Sequence, residues 1–393
     1  MKNNLLLFVF VFYVFACGKN SKDSEKAQNV KDSIEESQEP TEIVGPLEAE
    51  TSLKFDYEMV VEGLKIPWGF DFFPDGSIII TERNGDIIHF KNGRKIKIEG
   101  GPDVYKRAQG GLLDVVLHPK YEDNGWIYFT YASKEGDGDG GNTALMRAKL
   151  NGKNLTNKEI LYKATPNTTK GIHFGSRISF DKKGYLYFSA GERGERDKNP
   201  QDITRDNGKV YRLNDDGTIP TNNPFVGKEN AVEAIYSYGH RNPQGMILNT
   251  ETGEIWVHEH GPKGGDEINV VKKGANYGWP IVTYGENYDG TTISDERSRP
   301  SMEDPIFYWL PSIAPSGFVF VDSDVFHELK GNLLVGSLKF QHLELLVLNG
   351  KKIIKRVILL KDIGRVRDVR QSPDGNIYVA VEGKGIAKLT KND

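Results

Sequence analysis

Cysteine is almost absent. Cys17 is the only one in 393 residues, which excludes an intramolecular disulfide framework. Charge of one sign is not in excess either: 51 Lys and Arg against 55 Asp and Glu leave a net charge of -4. Basic residues near the C-terminus are scattered rather than striped, so nothing points to a nucleic-acid partner. Apolar runs long enough to span a bilayer are lacking. The run from Leu5 to Ala16 covers about 12 residues, where a transmembrane helix needs roughly 20. Sustained helical periodicity is also missing, which leaves strands as the main element.

What is present begins at the N-terminus. Lys2 precedes the apolar run, as in a signal-peptide core. Val14-Phe15-Ala16-Cys17 resembles a bacterial lipobox, whose cysteine is lipidated and becomes the mature N-terminus; the alternative is an ordinary signal peptide with a chance cysteine. Residues 1–17 are therefore expected to be a lipoprotein signal, placing the protein at the cell envelope, as a periplasmic or outer-membrane lipoprotein. Residues 18–52 are rich in Lys, Asp, Glu, Ser and Gln, with Pro40 and Pro46. Such a segment cannot bury enough surface to offset its chain entropy and reads as a disordered tether. Residues 53–393 contain no second linker and read as one large domain.

Within that domain one local pattern recurs six times. A β-rich run, a tight Gly-containing turn and a second β-rich run follow one another. Gly69–Phe73 leads through Pro74-Asp75-Gly76 into Ile78–Glu82, and Leu112–Leu117 through Asn124-Gly125 into Ile127–Tyr131. Ile178–Phe180, Met246–Leu248, Phe318–Val321 and Val366–Val369 open the other four copies. Six such units predict an all-β fold, a six-bladed β-propeller of four-stranded antiparallel blades.

Polar residues cluster where the first strand of each unit begins. Gln109 precedes the second unit and His173 the third; Arg241, Asn242 and Gln244 open the fourth. Lys339 follows the fifth, and Arg365 and Arg367 flank the start of the sixth. Strand entries in a propeller lie near the axial channel, so these groups are expected to converge on one pocket. Cations and amide donors around a histidine suit a polycarboxylate, which Arg grips bidentately. Taken singly, Arg365 and Arg367 also read as a solvated strand face, and His173 as a packed or surface histidine.

Seven runs in order make the pattern specific. They are Ala108–Asp114, His173-Phe174-Gly175, Gly239–Gly245, His260–Asn269, Asn276–Pro280, Ser312–Gly317 and Arg365–Val369. From Pro67 to the C-terminal strand the chain resembles the soluble aldose sugar dehydrogenases, quinoproteins that use pyrroloquinoline quinone (PQQ) and calcium. The resemblance implies oxidation of an aldose at C1 to its lactone, with electrons passed to an external acceptor, a quinone or a cytochrome. It implies that His173 is the general base, oriented by Glu192 where Asp is the commoner residue. Gln109, Arg241, Asn242, Gln244, Lys339, Arg365 and Arg367 would contact PQQ. The carbonyls of Gly261 and Pro262 would bind the calcium beside it, and Glu267 and Tyr277 a second, structural calcium.

Three other readings compete with this one. His258-Glu259-His260 places two histidines on one strand face but offers no third ligand for zinc. A binding propeller that has lost its cofactor chemistry is disfavoured by the joint presence of His173, Lys339, Arg365 and Arg367. A lactonase-type hydrolase needs acidic metal ligands rather than a cationic channel. Substrate choice is expected to lie in the loops at Gly136–Gly141, Glu195–Gln201 and Asn287–Pro300.

Overall fold

A computed structural model describes residues 47–391. The expected signal peptide, Cys17 and most of the expected tether lie outside the described residues. Six sheets carry the chain in sequence order, each running from an innermost to an outermost strand. The first blade comprises Pro67–Phe72, Ile78–Glu82, Ile87–Lys91 and Arg94–Ile98. The second comprises Leu112–Leu117, Trp126–Ser133, Asn142–Asn151 and Asn154–Lys163. The third to fifth run from Ile178–Phe180 to Ile235–Tyr238, from Pro243–Leu248 to Phe307–Trp309, and from Pro315–Phe320 to Lys352–Leu359. The fold is thus the six-bladed propeller that the repeats predict.

The sixth blade closes the ring. Val366–Gln371, Ile377–Val381 and Gly385–Lys391 come from the C-terminal end, and Phe55–Glu62 from the N-terminal end supplies the outer strand. Ala49–Glu50 continues further and pairs in parallel with Arg356 and Val357 of the fifth blade. The Leu47 carbonyl accepts a hydrogen bond from Arg356. Ordered packing therefore begins before residue 53, the boundary expected from composition.

The six sequence units correspond to the first two strands of each blade. Those strands are buried on both faces between neighbouring blades; Ile78–Glu82, Leu186–Ala190 and Leu333–Ser337 are buried throughout. Burial of each aliphatic side chain there contributes on the order of 1.5–3 kcal/mol.

Two details of the inner hairpins build the channel. First, the pairing register slips at the start of five innermost strands, between Pro67 and Gly69, Leu112 and Val115, Pro243 and Gly245, Pro315 and Phe318, and Val366 and Asp368. A bulge re-aims the residue it contains, and here Trp68, Gln244 and Arg367 all reach one axial cavity. Gly317 is required beside such a bulge, because a Cβ there would lie 2.0 Å from the Asp368 carboxylate.

Second, hydroxyls stitch blade to blade. Thr81 donates to the Leu113 carbonyl, Thr130 to Ser176 (2.7 Å) and Ser189 to Pro243 (2.9 Å). The corresponding position of the fourth blade holds His258, which is buried in the same kind of seam against Phe318 at 4.6 Å. Across the axis, Arg177 at the entry to the third blade meets Asp114 (2.9 Å) and Asp368 (3.0 Å). Arg370 joins both carboxylates. With two cations against two anions in one buried set, the channel is closed by paired charge.

Candidate active site

His173 rides on a loop that glycines make possible. Its own φ is 53°, flanked by Gly171 at 69° and Gly175 at 62°, and a Cβ on Gly175 would lie 2.8 Å from the Gly191 nitrogen. Two amides from other blades fix the loop. The Gln109 side-chain oxygen accepts from the His173 N–H at 2.8 Å, and that of Asn242 from the Gly175 N–H at 3.0 Å. The other end of Asn242, its Nδ2, is buried with no hydrogen-bond partner. An orphaned buried donor costs about 1–3 kcal/mol unless a ligand accepts from it.

Glu192 follows the strand Leu186–Ala190 and pairs through Oε1 with Nδ1 of His173. The longer Glu arm therefore reaches the imidazole. Glu192 is itself held by its main chain: its N–H donates to the Arg241 carbonyl (2.8 Å), and its carbonyl accepts from Asn199 (3.0 Å). With Nδ1 engaged, Nε2 is the ring nitrogen left to accept a proton. Burial, and then the nearby Arg241 charge, lower the pKa of His173 against the opposing pull of Glu192. The ring is thus neutral near pH 7.

The Arg193 guanidinium braces this loop from behind. It is fully buried, lies 3.4 Å from the Phe174 ring centre, and donates to the carbonyls of Ile172 and of Gly141 (3.0 Å). It forms no ion pair with a carboxylate among the described residues, and burial lowers its pKa to about 9.

Three cavities surround these groups. A cleft of about 320 Å³ is lined by His173, Glu192, Arg241, Pro262 and Trp279, with Lys170, Glu195–Lys198, Asn287 and Tyr288 at its rim. That volume suits a small ligand. Two of the three loops expected to set specificity line it; Gly136–Gly141 does not, and its Gly141 carbonyl instead receives Arg193.

The second cavity, about 360 Å³, holds Gln109, Gln244, Arg365 and Arg367 together with Trp68, His260 and Glu382. Arg365 donates to Glu382 (2.8 Å) and the Leu338 carbonyl (2.9 Å), while Arg367 pairs with the same Glu382. Lys339 does not join them: it is exposed, with Nζ 5.1 Å from the Phe340 ring centre, and lines neither cavity. The expected single pocket is thus two, and Arg241 and His260 lie at a third, smaller cavity beside them.

That third cavity contains Gly261, Glu259, Glu267 and Tyr277. Burial and the facing Glu259 hold the Glu267 carboxyl well above the usual range, a cost that a bound cation would relieve. The Tyr277 hydroxyl donates to Val270 (2.6 Å) and accepts from Lys272 (2.8 Å), so only its main-chain carbonyl remains for a ligand. The Gly261 carbonyl accepts from Arg241 Nη1 at 2.9 Å. His258 and His260 diverge from any shared metal: the former fills its seam, and the latter bonds through Nε2 to the Pro315 carbonyl.

Sequence reasoning missed Trp68, Arg193 and Glu382. Arg193 stands directly after Glu192, and adjacency to the base's partner was the available signal. Glu382 had none, because its role depends on the end of one strand meeting the beginning of another.

A carboxylate-held histidine beside a cationic cavity, on a closed six-bladed ring, suits a propeller sugar oxidoreductase. Residues 64–390 match the glucose/sorbosone dehydrogenase family. The chain is 40% identical over 333 residues to aldose sugar dehydrogenase YliI of Escherichia coli (strain K12), covering 83% of this chain and 89% of that one. It is also similar to the solved apo-form of the soluble aldose sugar dehydrogenase from Escherichia coli, with TM-score 0.83, 38% identity and coverage of 86% and 100%. For the PQQ-bound form of aldose sugar dehydrogenase from Streptomyces coelicolor the TM-score is 0.70, with 26% identity and coverage of 86% and 99%. The chain belongs to the glucose/sorbosone dehydrogenase family.

Proposed function

We propose that the protein oxidises an aldose at C1 to the corresponding lactone, with PQQ as bound cofactor and calcium beside it. The observation that carries the reading is the His173–Glu192 pair on a cleft it shares with Arg241. A sugar in that cleft presents its C1 hydroxyl to Nε2 of His173, which takes the proton as hydride leaves C1. Glu192 holds the Nδ1 proton and stabilises the imidazolium that forms, as the carboxylate partner of a catalytic histidine does.

PQQ, when bound, supplies a two-electron acceptor for the hydride. Its three carboxylates fit the residues present: Arg365, Arg367, Gln109 and Gln244 line one cavity, and the orphaned Asn242 Nδ2 supplies a buried donor. Lys339 would have to swing inward from its exposed position to add a charge. The carbonyls of Gly261 and Pro262 would hold the adjacent calcium, and Glu267 with the Tyr277 carbonyl a second ion. Arg241 would then have to share the Gly261 oxygen with the metal.

The same reading keeps an N-terminal lipid on Cys17 and an external quinone or cytochrome as electron acceptor, supported by the lipobox-like run and the reaction's need for an oxidant. Dye reduction by the purified protein with added PQQ, calcium and a panel of aldoses tests it, beside His173→Ala. Turnover that needs both additions and collapses in the variant is expected. Absence of turnover together with absence of PQQ binding would leave a sugar- or protein-binding propeller.

A further inference from the structure

Electrons taken from a sugar must leave the protein, and one side of the channel mouth is built differently from the other. A cavity of about 270 Å³ adjoins the cofactor cavity; Ile66 and Arg83 line both. Its other charged walls are Lys65, Lys106 and Glu82. Glu82 is the one carboxylate on these walls, and one of its oxygens accepts the backbone N–H groups of Lys65 (2.6 Å) and Ile66 (3.2 Å). No ion pair among the described residues involves Lys65, Arg83 or Lys106.

The sugar cleft is the opposite case. There Lys170 pairs with Glu195 (2.8 Å), Lys198 with the same Glu195 (3.4 Å) and Arg196 with Asp197 (3.7 Å). A neutral sugar meets a rim whose three cations are all ion-paired, two of them to one carboxylate. The cavity at Lys65, Arg83 and Lys106 sets three cations against the single Glu82 carboxylate, in a chain whose net charge is -4. Unpaired charge at a concave site concentrates ligands of opposite sign.

We propose that this cavity is the docking site of an anionic one-electron oxidant, separate from the entry of the sugar. The proposal rests on the dehydrogenase reading above. Oxidation of the C1 hydroxyl to the lactone releases two electrons and two protons. Two oxidant anions each take one electron across the wall formed by Ile66 and Arg83, and the protons go to solvent.

Ferricyanide is the probe, with hexaammineruthenium(III) as its cationic counterpart, on the PQQ- and calcium-loaded protein. Raising ionic strength from about 10 mM to 0.5 M should lower kcat/KM for ferricyanide roughly tenfold or more, while hexaammineruthenium(III) gains or stays constant. A Lys65→Glu/Lys106→Glu double variant should lose roughly tenfold or more with ferricyanide alone, at an unchanged KM for the sugar. Lys65→Gln/Lys106→Gln should fall between it and the parent, which separates charge from misfolding. Calorimetry with ferrocyanide on the loaded protein, without sugar, should show binding that the Glu variant abolishes. Equal responses of the two oxidants, or ferrocyanide binding unchanged by the variant, would overturn the proposal. If no oxidant is turned over, the dehydrogenase reading fails, and the calorimetry still decides whether the cavity takes an anion.

Discussion

The wall that carries His173 and the wall that carries Arg365 and Arg367 solve different problems. The first is held by directional contacts between buried neutral and charged groups: Gln109 and Asn242 on the loop backbone, Glu192 on the ring, Arg193 on two carbonyls. The second is held by charge, with Glu382 shared between two arginines. Contacts of the first kind set an atom's position to a fraction of an ångström, and charge-assisted contacts of the second kind hold an anionic ligand. Catalysis should therefore fail on one wall, and cofactor loading on the other.

The largest expected effect is on the first wall. His173→Ala should lower kcat about 10²- to 10⁴-fold while PQQ still binds, read by dye reduction alongside a binding titration. Loss of PQQ binding in that variant would break the division. Next, Arg367→Met should raise the Kd for PQQ by about 10- to 100-fold and leave kcat at saturating PQQ within a few fold. Lys339→Met should weaken loading less, by a few fold, in keeping with its exposed side chain. A kcat defect larger than the loading defect in either variant would place that residue on the catalytic wall instead.

A pH profile sharpens the same contrast. The folded-state pKa of His173 is depressed below the usual 6.5, so the free base persists below neutrality. The acid limb of kcat/KM for the sugar should accordingly lie below pH 6.5, and Glu192→Gln should move it lower still by removing the group that favours the imidazolium. Stability follows the same sign. Buried histidines with depressed pKa values, His173 and His260 (down to about 3), bind fewer protons folded than unfolded. Their contribution is intact above the unfolded pKa of about 6.5 and is lost as pH falls below it. Thermal melts between pH 7.5 and 4 should therefore show a falling Tm, the smallest of these effects.

Legibility in the sequence tracks burial. Inner hairpins were readable because Ile78–Glu82 and its equivalents are apolar and end in Gly-containing turns. The outer strand Arg94–Ile98 exposes four of its five residues and alternates Lys and Ile only over Lys95–Ile98, too short a run to stand out. Residues at strand entries were expected at one pocket; Gln109, Gln244, Arg365 and Arg367 line one cavity, and His173 and Arg241 line another. Their division into two cavities was not legible, because register slips turn Gln244 and Arg367 toward one side while Arg241 faces the other. Arg193 was passed over because its value lies in two carbonyls that only the folded loop brings together.

Ring closure has a consequence for how the protein comes into being. The sixth blade borrows Phe55–Glu62 from the start of the chain and completes it with Gly385–Lys391 from the end. During synthesis the early strand waits through five blades for a partner that follows them in the chain. The ring therefore closes only once Gly385–Lys391 has been made, and a ribosome-bound chain that lacks it stays an open arc with two unsatisfied edges.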